Sequence, residues 1–117
     1  MDRARAVTVA AEIDTETCLG LLGGATFGRV ALSVHAMPRI VPVSFTARRG
    51  RISLSLRSDT DLADPLSDAT VVAFQADGYD DEARRGWSVH VVGRITGRGN
   101  GTATIDPSVI EGTWLAP

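Results

Sequence analysis

Residues 71–94 read VVAFQADGYDDEARRGWSVHVVGR. The segment from 70 to 79 is apolar enough for a buried strand, and that from 86 to 98 reads as a second, longer one. Between them lie Asp80, Asp81, Glu82, Arg84 and Arg85, a charged connection too short for a crossover helix. Asp80-Asp81-Glu82 reads as a solvated turn, and a doubly wound sheet of alternating strands and long helices is excluded.

Working outward, the same period of two recurs. FGRVALSVH (27–35) alternates as a half-buried strand, and Ala36-Met37-Pro38 follows as a turn. RIVPVSFTA (39–47) is a strand with Pro42 inside it, which implies an edge or a break because proline has no ladder N–H. Arg48-Arg49-Gly50 closes a hairpin into RISLSLR (51–57), with Ile52, Leu54 and Leu56 on one face. Residues 58–68 are polar, with a helical turn capped by Ser58 or Asp59. After the GRGNG turn (97–101), TATID (102–106) is a short strand that Pro107 ends, and 109–117 form the last one. Upstream, Asp14 is an N-cap with Glu16 in the first helical turn, and Gly23-Gly24 stops the helix. Residues 1–13 form an N-terminal arm ending in a short strand, and 14–117 a single domain. The expected fold is mainly β with short helices: a small barrel of six to seven antiparallel strands.

The chain has 117 residues, 44% apolar and 22% charged, with a net charge of −2. That balance argues against nucleic acid as a partner, since a phosphate footprint needs clustered basic residues. All twelve basic residues are arginine, so a lysine Schiff base cannot form. The one cysteine, Cys18, reads as a small buried hydrophobe and suits a reducing cytoplasm. No apolar run approaches the ~20 residues that span a membrane, and the opening residues lack a signal peptide's apolar core.

Glycine-rich GLLGGATFG (20–28) and GRGNG (97–101) do not follow a strand and open a helix, so neither is a dinucleotide fingerprint. His35, His90 and Cys18 lack metal-ligand spacing, and no metal site is expected. Three features remain. A strand broken at Pro42, in VPVSF (41–45), leaves backbone groups free for the edge of a planar ligand. In LRSDT (56–60), Arg57 beside Ser58 and Thr60 suits a phosphate. In GWSV (86–89), Trp87 offers a flat apolar face with one N–H donor.

Taken in order, CLGLLGG (18–24), FGRVAL (27–32), PRIVPVSF (38–45), LSLRSDTDLA (54–63), VVAFQADG (71–78) and GWSVHVVGR (86–94) resemble the pyridoxamine 5'-phosphate oxidase-like, FMN-binding split-barrel family. The resemblance covers about two thirds of the chain. It implies a split β-barrel that forms a homodimer, with flavin mononucleotide at the interface and oxidoreductase chemistry carried by the flavin. It implies that Pro42, Val43 and Ser44 run beside the isoalloxazine ring, that Arg57 and Ser58 face the phosphate, and that Trp87 and Ser88 lie close by, at a seam between subunits.

The sequence departs from that pattern in three places. Asp61 precedes Leu62 where the family usually has lysine, a reversal of charge beside the expected phosphate. Ser44 stands where asparagine is frequent, and GRGNG is a shortened connection. Three readings follow: an FMN-dependent oxidoreductase, a non-catalytic binding protein for a deazaflavin, haem or other flat ligand, and a cofactor-free dimer. Each expects a cytoplasmic homodimer whose other partners are small molecules, without nucleic acid or membrane.

Overall fold

The computed structural model describes residues 8–56, 70–99 and 101–116. Among them are seven strands and one helix: β1 (Thr8–Ile13), α1 (Thr15–Gly23), β2 (Phe27–Val34), β3 (Met37–Arg48), β4 (Arg51–Ser55), β5 (Val71–Asp80), β6 (Arg85–Gly99) and β7 (Thr102–Ala116). All strand pairings are antiparallel, in the order β1-β7-β4-β3-β2-β5-β6, and β6 pairs back onto β7 to close the barrel. The helical turn expected within 58–68 lies outside the described residues, as do Arg57, Ser58, Thr60 and Asp61.

β7 organises the closure. One of its edges pairs with β6 over most of its length. The other carries β4 at Thr102–Ile105 and then β1 at Gly112–Ala116. The barrel is split between those two partners, and α1 packs against β3 and β7 there. Cys18 and Leu22, one helical turn apart, are both fully buried. Gly112 makes this seat: a Cβ there would collide with the Cys18 sulfur. Burial pushes the Cys18 thiol above its ordinary pKa, with the Asp14 charge adding to the shift, and its sulfur meets the Ile13 carbonyl at 3.5 Å.

The helix starts where expected. Asp14 Oδ1 accepts from the Thr17 amide at 2.8 Å, and this bond holds the Asp14 carboxyl below its ordinary value of 3.8. A depressed folded-state pKa means that the stabilising contribution is complete above the unfolded value and is lost as pH falls through the lowered one. The melting-temperature gap between wild type and Asp14→Ala should therefore be constant around neutrality and narrow in acid below that value, in thermal melts at stepped pH.

Alternation sends Val30 and Leu32 of β2, Ile52 and Leu54 of β4, Val72, Phe74 and Ala76 of β5, and Trp87, Val89, Val91 and Ile95 of β6 into one buried cluster. Phe45 and Phe74 meet edge to face, with centroids 4.8 Å apart.

Three sequence expectations are corrected. The first turn is His35-Ala36, both with positive φ (51° and 64°), which joins Val34 directly to Met37 in a two-residue hairpin. Pro42 does not break β3, which runs continuously through it. Phe45 N–H donates to the Thr26 carbonyl, so odd-numbered β3 residues bond towards β2 and even-numbered ones face the opposite edge. β4 reaches that edge only from Ser44 onward, leaving Pro38 and Pro42 where no ladder N–H is required. Pro107 does not end its strand either. The pairing steps from Val92↔Val109 to Gly93↔Pro107, a bulge that lets β7 continue.

Candidate functional site

The strand register assembles the outer face of β3-β2-β5-β6-β7 into rows. Residues directly opposite on one face have Cβ atoms about 5 Å apart. One row is apolar throughout: Ile40↔Ala31↔Ala73↔Val92↔Val109. Its ends are the most open, with Ile40 72% and Val109 41% exposed. The next row is polar: Pro42↔Arg29↔Gln75↔His90↔Glu111. Beyond it lie the pairs Ser44↔Phe27 and Asp77↔Ser88↔Thr113.

The polar side chains are fixed by one another. Arg29 Nη1 donates to Gln75 Oε1 at 2.5 Å and lies 3.7 Å from Asp77 Oδ2. Gln75 Nε2 donates to Ser88 Oγ at 3.0 Å and to Asp77 Oδ2 at 3.2 Å. Because Ser88 Oγ accepts this bond, its own O–H is left to donate. His90 Nε2 lies 2.7 Å from Glu111 Oε1.

The residues singled out from the sequence divide by strand parity. Pro42, Ser44 and Ser88 are on this outer face, Pro42 at the unpaired edge of β3, Ser44 where β4 begins to pair, and Ser88 three strands away on β6. Val43 and Trp87 point the other way, 8% and 5% exposed, into the core. Trp87 lies across Gly78, its cross-strand partner, so closely that a Cβ on Gly78 would be 3.0 Å from the indole nitrogen. Sequence reading missed Arg29, Gln75, Asp77 and Glu111. Alternation places each on the outer side of its strand, but only the register makes them neighbours.

The polar row with its exposed apolar neighbours suits a flat ring with a polar rim. The residues described here fit the ring half of a flavin: the β3 edge offers backbone groups, and Phe27 and Ile40 are 73% and 72% exposed beside it. Among the described residues, no helix is long and apolar enough to cross a membrane.

Comparison with known proteins agrees with this architecture. A family model described as pyridoxamine 5'-phosphate oxidase matches residues 14–101. The uncharacterized protein Rv0080 of Mycobacterium tuberculosis is 34% identical over 95 residues, a match spanning 73% of this chain and 59% of that protein. The solved structure of the FAD binding protein from Mycobacterium smegmatis superposes with a TM-score of 0.74 at 27% identity, covering 93% of this chain and 98% of that one. A FAD-binding protein from Mesorhizobium loti shares the fold at a TM-score of 0.75 and 15% identity, covering 96% of this chain and all of that one. A barrel split around one helix, and a family match from the N-cap of that helix to the β6–β7 turn, lead to one conclusion: the chain belongs to the pyridoxamine 5'-phosphate oxidase family.

Proposed function

We propose that this chain is a flavin-binding oxidoreductase acting as a homodimer, with FMN held between the outer faces of two barrels. The observation that carries the reading is the apolar row from Ile40 to Val109, flanked by the fixed polar row and the free β3 edge. An apolar stripe across five strands is a liability in water, and a second copy of the same face covers it. Support for a flavin comes from the family and from the FAD binding protein of Mycobacterium smegmatis, whose length this chain nearly matches.

Bound flavin supplies hydride chemistry that no side chain of this protein need perform. The protein binds and orients. Pro42 leaves the β3 edge without an N–H at one point, and its carbonyl accepts there. The hydroxyls of Ser44 and Ser88 face the same surface, and Gln75 holds Ser88 in place. Val43 contributes backbone rather than side chain, and Trp87 supports the surface from beneath. Arg57, Ser58 and Thr60, which lie outside the described residues, would hold the phosphate, and the Asp61 charge would oppose it.

The test is an absorbance spectrum of the purified protein, followed by titration with FMN and with FAD, and light scattering. Flavin bands or saturable uptake, with the mass of two chains, are expected. Ile40→Asp, on an exposed position, should give a folded monomer. A colourless protein that takes up neither flavin sinks the cofactor reading, and its Asp61 then favours the cofactor-free dimer. A wild-type monomer sinks the shared seam.

A further inference from the structure

The hairpin that joins β3 to β4 carries Arg48, Arg49 and Arg51 around Gly50, in a chain whose net charge is −2. Arg48 and Arg51 are exposed and directly opposed in the strand register. Both face outward, because Phe45 and Ile52 set the inward parity of their strands. Opposed side chains on one face have Cβ atoms about 5 Å apart, and like charges so placed repel. Arg49 adds a second local conflict. The turn has positive φ at both central positions, 52° and 74°, a geometry that favours Asn-Gly, Asp-Gly or Gly-Gly. Arginine there brings a third guanidinium to the tip, where a smaller residue would turn more easily. Local conflicts of this kind are expected where function, rather than folding, selects the residues.

Nothing among the described residues relieves the repulsion. None of the three guanidiniums has a hydrogen-bond or ion-pair partner there. Other arginines are engaged: Arg29 with Gln75 and Asp77, and Arg85 stacked 4.4 Å from the centre of the Trp114 ring. The next row along the same face is Thr46↔Ser53↔Thr104. The hydroxyls of this row have no hydrogen-bond partner among the described residues either. Neither the arginine pair nor the hydroxyl row contains a carboxylate. Asp106 follows Ile105 on β7, where the register sets it against Arg94 of β6, and it bonds none of the hairpin's arginines.

We propose that this hairpin binds a terminal phosphate, as a monoester or a diphosphate. A phosphate monoester carries about −1.5 to −2 charges at neutral pH. That matches the two opposed guanidiniums, whereas a carboxylate offsets only one of them. Arg48 and Arg51 approach the phosphate from either side, and each guanidinium can donate two parallel N–H bonds to its oxygens. Arg49 adds charge at the tip. The Thr46 and Ser53 hydroxyls, two residues inward along the strands, donate to oxygens that extend over them. The site uses the β3–β4 hairpin and does not include Arg29, Gln75 or Ser88, so it stands whether or not a flavin binds.

The test uses the intact protein labelled with nitrogen-15, with the backbone amides of residues 48–51 assigned. The probe is inorganic pyrophosphate, and the control is acetate at the same ionic strength. Pyrophosphate should shift the Arg49, Gly50 and Arg51 amides saturably, and acetate should leave them in place. Arg48→Gln with Arg51→Gln should weaken pyrophosphate by about tenfold or more, while the melting temperature holds or rises because the like-charge pair is gone. Arg49→Gly should weaken it several-fold and also raise the melting temperature. Binding and stability that move in opposite directions separate a lost site from a damaged fold. Vesicles of phosphatidylcholine with and without phosphatidic acid distinguish the source. Binding that requires phosphatidic acid assigns a lipid headgroup, and binding of pyrophosphate alone assigns a soluble ester. The proposal is overturned by the absence of a saturable shift at the hairpin, by an equal shift with acetate, or by undiminished affinity in the double variant.

Discussion

Phe74→Ala should lower the unfolding free energy by about 3–5 kcal/mol, the usual cost of emptying a large aromatic site. Phe74 is 1% exposed, at the centre of β5. One side of its ring meets Phe45 edge to face, at a centroid distance of 4.8 Å. Another side covers Gly28 on β2, where an added Cβ would be 2.6 Å from the ring. The pocket cannot be refilled from Gly28, because the same Cβ would also meet the backbone carbonyl of Gln75 at 2.8 Å. Phe74→Ala with Gly28→Ala should therefore recover none of the loss. Domains of this size have a total stability of about 5–15 kcal/mol, so the variant should melt lower by on the order of 15 °C. Urea or thermal unfolding gives the number, and a loss below ~1 kcal/mol would mean that the ring does not fill the site as described.

Asp61→Arg should raise flavin affinity by about ten- to a hundredfold. A flavin phosphate carries about −1.5 to −2 charges. At ~4 Å and an effective dielectric of ~20, one unit-charge pair is worth ~4 kcal/mol. Exchanging repulsion for attraction thus spans up to ~8 kcal/mol before solvent and salt reduce it, against ~8 kcal/mol for an entire micromolar complex. The gain should shrink as ionic strength rises, because screened charges account for it. Titrating wild type and variant with FMN at low and high salt checks both statements. A variant no better than wild type at low salt would place residue 61 away from the phosphate and remove the charge reversal as an obstacle to binding.

Local signals carried much of the architecture. The alternation in 27–35 and 51–55 gave β2 and β4 their buried faces, and Asp14 marked the start of α1. Where the chain departs from expectation, the deciding interaction is distant. Proline at 107 reads locally as a stop, but pairing with β6 carries the strand past it through a bulge. The turn at His35-Ala36 has no glycine to announce its positive φ angles, and the Val34↔Met37 pairing imposes them. The site divides in the same way. Pro42 could be chosen from local chemistry, Ser44 and Ser88 came from the family resemblance, and parity alone separates them from Val43 and Trp87. The network of Arg29, Gln75 and Asp77 depends on how β2 and β5 are aligned, which no short stretch of sequence encodes.

The three-partner role of β7 also bears on how the chain reaches this state. The strand that seals the barrel comes after every strand it joins. Until it docks, β4, β6 and β1 each present a raw hydrogen-bonding flank to the surroundings. Its contact with β1 spans nearly the whole described polypeptide, so a long loop must be ordered before that pairing repays it. Slow acquisition of the native state follows, with a window in which neighbouring nascent chains compete for the same flanks.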